Sequence, residues 1–148
     1  SKINIKLFYF TIYDPFYSKM YKGIKKPFKI NFITDKKNLK LKKFDVVNFG
    51  SSLQYFDNID FLNNYINFKF TNTILVTHTP ISLSKKYKSK QKNHKTLIQN
   101  IHTLNDIKKK FKKIGFNLVF KSRNNDKYIA CEKKQKNTFS LNLIFSKK

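Results

Sequence analysis

The sequence has few of the residues that build disulfides, metal clusters and tight turns. Its 148 residues include one cysteine, three glycines, three prolines and no tryptophan. Because Cys131 is alone, an intramolecular disulfide and a cysteine metal cluster are both excluded. No apolar run approaches the length that spans a bilayer, and no signal peptide is visible at the start. These absences predict a cytoplasmic protein without a membrane span.

Acidic residues and arginine are also scarce. Eight acidic residues stand against 32 basic ones, which gives a formal charge of +24, and Arg123 is the one arginine. A charge of this size attracts phosphate-rich molecules, so it points to a nucleic acid as a partner. Residues with GC-rich codons are missing throughout, however, and arginine recognises phosphate better than lysine does. We therefore attribute most of the charge to codon bias, although its field attracts anions whatever its origin.

Length and aromatic content bound the fold. A chain of this length predicts a single domain over residues 1–148. Sixteen phenylalanines and eight tyrosines supply most of the bulk of its core. The chain starts with Ser1 rather than Met, and a strand-like pattern follows at once. A domain rarely begins in the middle of a strand, so this start predicts a fragment or a processed product.

Seven segments have the apolar, β-forming composition of strands. They cover residues 3–13, 28–34, 44–50, 73–77, 116–121, 127–131 and 138–145. The nearly continuous apolar runs suit strands that are buried on both faces of a parallel sheet. Proline cannot extend a strand ladder, so the first and fourth of these strands should end before Pro15 and Pro80.

Helical spacing and a polar loop complete the pattern. Apolar residues at three- and four-residue intervals predict a helix over residues 57–66, with Asp57 as its N-cap. A second helix begins after Thr103 and stops at Gly115. Residues 84–95 are lysine-rich and predict a mobile loop. Alternating strands and helices predict an α/β fold: a three-layer, Rossmann-like, mostly parallel sheet with an antiparallel C-terminal edge.

Three motifs in residues 44–80 carry a resemblance to a known family. They are the Asp-Val-Val strand at 45–47, the Leu-Gln-Tyr turn at 53–55 and the Thr-Ile-Leu-Val-Thr strand at 73–77. A helix that ends in Gly115-Phe116 matches as well. In these features the chain resembles class I methyltransferases that depend on S-adenosylmethionine, specifically a bacterial group associated with surface-polysaccharide genes. The resemblance implies methyl transfer to an oxygen or nitrogen nucleophile, with a small molecule, a saccharide or its precursor as the acceptor.

The glycines depart from the family pattern. Such enzymes hold the methionine part of the cofactor with a glycine-rich loop after the first strand, and neither Gly23, Gly50 nor Gly115 lies in such a loop. The resemblance therefore implies a domain that lacks its first strand and helix. Loss of cofactor binding, or a partner that supplies the missing half, are the alternatives. The rival function is a non-enzymatic RNA-binding or ribonucleoprotein component on a degenerate methyltransferase scaffold.

The resemblance also implies cofactor-binding residues, at the carboxyl ends of the predicted strands. Asp14 would accept hydrogen bonds from the cofactor ribose, and Asp35 would contact the adenine. Gly50, Ser51 and Ser52 would wrap the cofactor, because glycine allows close backbone approach and serines donate hydrogen bonds. The alternatives are an Asp-Pro turn, a solvated loop residue and an ordinary turn capped by serine.

Catalytic and acceptor-binding residues are predicted beside them. His78 ends the fourth strand, where its near-neutral titration suits a general base for the acceptor; a histidine that only hydrogen-bonds its loop is the alternative. Gln54 and Tyr55 would face the acceptor, unless they pack under the turn. Arg123 would contact an anion in the acceptor region. Gln99 and Asn100 precede the second helix and would line the acceptor pocket, or they would simply be polar residues at the entry to that helix.

Overall fold

Strands form most of the chain that the structure describes. The computed structural model describes residues 9–13, 29–33, 35, 37–92, 94–124 and 129–147. The strands are β1 (Tyr9–Tyr13), β2 (Lys29–Ile33), β3 (Val46–Gly50), β4 (Thr73–Ser82), β5 (Tyr87–Gln91), β6 (His94–Ile101), β7 (Phe116–Arg123) and β8 (Thr138–Lys147). The helices are α1 (Lys37–Lys40), α2 (Leu104–Lys113) and the short 3₁₀ helices Leu53–Tyr55, Ile59–Asn64 and Phe68–Phe70.

The described strands form three sheets. β1 and β2 pair in parallel, and β5 and β6 form an antiparallel hairpin. The third sheet has the order β3-β4-β8-β7, in which β3 and β4 are parallel and β8 runs antiparallel to both of its neighbours. The prediction of a three-layer, Rossmann-like, mostly parallel fold is therefore wrong: the largest described sheet is mixed, the hairpin is antiparallel, only the two-stranded pair is parallel throughout, and helices are few among the described residues.

The segment between β3 and β4 shows why fewer helices form than predicted. The predicted helix over residues 57–66 is a 3₁₀ helix over Ile59–Asn64, and its N-cap is Asn58 rather than Asp57. The Asn58 side chain accepts a hydrogen bond from the Asp60 backbone N–H, and Asn67 caps the next 3₁₀ helix in the same way. Asparagine side chains that bond nearby backbone compete with regular helix, so the segment folds as short capped turns.

Two strand boundaries also differ from the predictions. Residues 84–95 contain β5 and the start of β6 instead of a mobile loop, and backbone bonds from Lys92 to Ala130 and from Glu132 to Lys90 fasten this hairpin. β4 continues through Pro80 to Ser82. β3 ends opposite Thr77, so the ladder partner of Pro80 is Ser140 of β8, and Ser82 also bridges to Thr103. A proline is tolerated there because its missing N–H faces no neighbouring strand.

The C-terminal third follows the sequence pattern closely. Thr103 caps α2 by accepting a hydrogen bond from the Asp106 backbone N–H at 3.0 Å. Gly115 has a φ of 89°, a left-handed conformation that glycine adopts without strain and that ends the helix. The predicted strands after Gly115 and over residues 138–145 are present as β7 and β8. They pair antiparallel, but β8 lies between β4 and β7 and does not form the predicted antiparallel edge. The predicted strand over 127–131 lies partly outside the described residues.

The core lies on one face of the four-stranded sheet. Its buried side chains include Val47, Phe49, Ile74, Val76, Ile107, Phe111, Leu143 and Phe145. The Phe111 ring is central among them, with ring centroids 4.8 Å from Phe145 and 6.4 Å from Phe49. The residues that alternate with these side chains face the other side of the sheet. In the described residues, no helix is both long and apolar enough to cross a membrane.

Candidate functional site

Two neighbouring parallel strands reach the candidate site together. Gly50, the last residue of β3, lies in register with Thr77 of β4. Beyond this point the Ser51 backbone N–H donates to the Thr77 carbonyl at 2.9 Å, and the Ser51 hydroxyl donates to the His78 carbonyl at 3.1 Å. The loop after β3 is therefore bonded directly to β4 beside His78.

Ser51 and His78 share an unusual backbone conformation. Each has a φ of 51°, in the left-handed region that side chains with a Cβ avoid. A non-glycine residue in this region costs about 1 kcal/mol or more. His78 lies at a bulge inside β4, not at the end of the strand as predicted, and Ser51 directly follows β3. Two such residues in direct contact concentrate backbone strain at one place. Strain of this kind clusters at binding and catalytic sites.

His78 is exposed, and it contacts two asparagines, one on β8 and one directly after β7. β4 has a bulge here, because the ladder with β8 shifts register between Val76 and Thr79. The His78 backbone N–H donates to the Asn142 side-chain oxygen at 2.9 Å. Its ring Nδ1 contacts the amide nitrogen of Asn124, which follows β7 and is fixed by a backbone bond to Ser140. The imidazole is therefore oriented from one side, with Nε2 as its other polar atom.

The Asn124 amide decides what His78 can do chemically. When the amide nitrogen faces Nδ1, Nδ1 accepts and the neutral ring carries its proton on Nε2, which makes Nε2 a donor. Rotation of the amide by half a turn places its oxygen toward a proton on Nδ1, which leaves Nε2 with a lone pair. The second arrangement gives a general base, and the first gives a hydrogen-bond donor.

A row of uncharged polar residues crosses the sheet beside His78. Asn142 of β8 lies in register with Ser122 of β7 and opposite the β4 bulge that contains Thr77. Thr77 bonds to Asn48 and Asn142 bonds to Ser122, both at 3.4 Å. Asn48, Ser122, Asn124 and Asn142 were not predicted from the sequence as site residues. A signal was available, because Asn48 and Asn142 interrupt apolar strands on the face away from the core. Asparagine is so common in this sequence that the signal was weak.

The turn after β3 has accessible backbone at Gly50 and a buried polar side chain at Gln54. A Cβ added at Gly50 would meet the Thr77 hydroxyl at 3.6 Å and the Asn48 amide at 3.7 Å, both ordinary contacts. Ser52 precedes the 3₁₀ helix without capping it through its side chain. Gln54 is buried, and its amide nitrogen donates to the Ser51 carbonyl at 2.8 Å. Among the described residues its buried side-chain oxygen has no hydrogen-bond partner, which costs about 1–3 kcal/mol unless a ligand supplies a donor.

Tyr55 and the residues of β6 connect this turn to the hairpin. The Tyr55 hydroxyl donates to the Gln91 side chain at 2.8 Å, and burial raises the pKa of Tyr55. Gln99 and Asn100 are buried on β6 and do not begin a helix. The Gln99 side chain binds the Ala130 carbonyl and the Cys131 thiol.

The remaining predicted residues lie in other surroundings. Asp14 lies outside the described residues. The Asp35 carboxylate accepts a hydrogen bond from the Lys37 backbone N–H at 2.9 Å and so caps α1. The Arg123 guanidinium stacks on the Phe139 ring, 4.1 Å from its centre, and Arg123 directly precedes Asn124. The described contacts therefore bring together Gly50, Ser51 and His78, and they place Asp35 in a helix cap.

His102 fastens β6 to the turn after β3. Its Nε2–H donates to the Phe56 carbonyl at 2.9 Å, and its ring is buried. Burial, the largest cause, lowers the pKa of His102, although the bond to Phe56 opposes this shift. The folded protein therefore holds His102 neutral at a pH at which the unfolded chain binds a proton.

We expect this histidine to make stability depend on pH. In the unfolded chain the histidine has a pKa of about 6.5, so on acidification the unfolded state binds a proton before the folded state does. The free energy of unfolding therefore decreases as the pH is lowered below this value, by at most about 1.4 kcal/mol per pH unit for one group. Urea unfolding at about pH 7.5 and about pH 5.5 measures this loss. His102→Gln, which keeps a donor, should reduce the loss, whereas the exposed His94→Gln should not. Equal losses in both variants would contradict the assignment.

Comparison with known proteins gives no independent assignment. No family model matches the chain. The search of curated proteins also finds no match. The methyltransferase resemblance of residues 44–80 therefore stays a prediction, and the geometry beside His78 has to support any function on its own.

Proposed function

We propose that the protein transfers a methyl group from S-adenosylmethionine to an oxygen or nitrogen nucleophile, at the carboxyl end of β3 and the bulge of β4. The observation that carries the proposal is the junction of Ser51 and His78, two strained residues in direct contact. The same residues lie within or beside the motifs that resemble methyltransferases. The proposal depends on this local geometry and not on the Rossmann-like fold, which the structure contradicts.

The residues of the turn suit part of the cofactor. Gly50 offers backbone that a ligand can approach closely, since even a Cβ there would make only ordinary contacts. The Gln54 side-chain oxygen, which has no partner among the described residues, could accept a hydrogen bond from an amino group of S-adenosylmethionine. Gly50, Ser51 and Ser52 would hold the cofactor at this edge. When bound, it supplies a methyl group on a positively charged sulfur.

The chain's own contribution is orientation and proton transfer. With the Asn124 oxygen toward Nδ1, His78 Nε2 accepts the proton of the acceptor hydroxyl or amine. The row of Thr77, Asn142 and Ser122 offers donors and acceptors to a hydroxylated molecule, which fits a saccharide or its precursor. Alignment of the two reactants accounts for most of the acceleration in such a mechanism.

Calorimetric titration with S-adenosylmethionine tests the proposal directly. We expect one site in the unaltered chain and at least a hundredfold weaker binding in Gly50→Leu, because the larger side chain would occupy the cofactor position. Gly50→Ala should bind nearly normally, since its Cβ has room between Thr77 and Asn48 and its backbone needs no positive φ. A folded, unaltered protein that binds no S-adenosylmethionine would reject the function. Equal binding by all three proteins would place the cofactor elsewhere.

A further inference from the structure

Three lysines contact the 3₁₀ helix Phe68–Phe70, which directly precedes β4, and two of them lie over its exposed Phe70 ring. The Lys43 ammonium lies 4.5 Å from the centre of the Phe70 ring, and the Lys69 ammonium lies 5.9 Å from it. The Lys147 ammonium donates to the backbone carbonyls of Phe68 at 2.6 Å and Lys69 at 2.9 Å. Three positive charges therefore meet at the 3₁₀ helix that precedes β4. We call these residues the Phe70 patch: Lys43, Lys69, Phe70 and Lys147.

The charge of the Phe70 patch is not neutralised within the described residues. The ion pairs in this part of the chain join Lys88 to Asp57 and Lys110 to Asp60, and neither pair includes a residue of the patch. Asp45 is close in sequence, but its contact with the segment before β4 is through its backbone carbonyl. An anionic partner would therefore supply the missing counter-charge.

The exposed Phe70 ring indicates that the anionic partner also carries a flat aromatic group. It is 38% exposed, although it is a large apolar side chain between cations. Ammonium groups beside an accessible aromatic ring are the combination that binds single-stranded nucleic acid, because bases stack on the ring while lysines contact phosphates. A duplex keeps its bases paired and stacked and cannot use the ring in this way.

We propose that the Phe70 patch binds single-stranded nucleic acid, with an unpaired base on Phe70 and phosphates at Lys43 and Lys69. The surface is separate from the methyl-transfer site, since the five residues of β3 separate the two by roughly 15 Å. Codon bias explains the high lysine content of the chain, but it does not explain why Lys43 and Lys69 both lie over the exposed Phe70 ring. Either function can therefore fail without the other.

The ring is tested with a matched pair of variants. Anisotropy of a labelled oligouridylate, and of oligodeoxythymidylate in parallel, measures binding to the full chain. Phe70→Ala should weaken binding about tenfold, the loss of one stacked base. Phe61→Ala removes a ring that is 53% exposed on another 3₁₀ helix and should change nothing. Binding that survives in Phe70→Ala, or that is as tight for a duplex, would overturn the proposal.

The charges are tested with two variants of equal net charge. K43Q/K69Q removes two lysines of the Phe70 patch, and K109Q/K112Q removes two exposed lysines of α2. Each phosphate contact adds about 0.7 to the slope of log affinity against log salt, so the first variant should lower that slope by about 1.4. The second variant should leave it nearly unchanged. Equal reductions would mean that the overall charge binds the strand, and the patch would be rejected.

Discussion

Replacing Phe111 by alanine is expected to lower the free energy of unfolding by about 4 kcal/mol, within the range of about 3–5 kcal/mol for buried phenylalanines. Phe111 is fully buried on α2, and its ring packs against Phe49 from β3 and Phe145 from β8. Removing the ring opens a cavity exactly where the helix meets the sheet. A domain of ordinary stability, about 5–15 kcal/mol, would lose a large part of its reserve.

Urea unfolding of the variant and of the unaltered protein measures this loss. Phe61→Ala is the control, because the same side chain is removed from an exposed position and should cost less than about 0.5 kcal/mol. Similar unfolding midpoints for the Phe111 and Phe61 variants would show that α2 does not cover the sheet as described.

Replacing His78 by alanine is expected to lower kcat about a thousandfold if His78 is the general base of methyl transfer. The measured quantity is tritiated methyl passed from S-adenosylmethionine to whichever member of a saccharide panel the unaltered protein methylates. Binding of the cofactor should persist, since His78 contacts Ser51 through its backbone carbonyl, which alanine retains. An unchanged kcat would remove His78 from the chemistry.

Asn124 separates the two chemical roles of His78. Asn124→Asp offers only oxygen to Nδ1, so it favours a proton on Nδ1 and a lone pair on Nε2; a base should therefore keep its kcat in this variant. Asn124→Ala should lower kcat with little change in KM, because the ring loses its orientation while the acceptor contacts stay. The opposite result, loss of activity in Asn124→Asp with activity kept in Asn124→Ala, would contradict the base assignment.

Local patterns in the sequence predicted the C-terminal third well. The cap at Thr103 and the stop at Gly115 each depend on residues close together in the chain. Such signals are read without knowing the rest of the fold. The bonding of Ser51 to His78 lay within the region that was expected to form a site, although the strained backbone of both residues was not foreseen.

Long-range pairing was where the sequence misled. The lysine-rich segment of β5 and β6 has the composition of a loop, yet contacts with residues 130–132 stabilise it as a hairpin. The segment before β4 has helical apolar spacing, but Asn58 and Asn67 cap it into short turns. Asn48, Ser122, Asn124 and Asn142 come together only when four strands pair. Residues so far apart in sequence give no local signal of a shared site.

The bulge in β4 places His78 at a position that the ladder with β8 does not need. Two residues, Thr77 and His78, stand where β8 presents one, Asn142. Deleting His78 would leave a regular ladder in which Thr79 and Ile81 keep their present neighbours on β8. The ladder between β4 and β8 therefore does not require His78, and the left-handed backbone of this residue adds to the free-energy cost of folding. The general base of the proposed function therefore lies at a position that the ladder between β4 and β8 does not require.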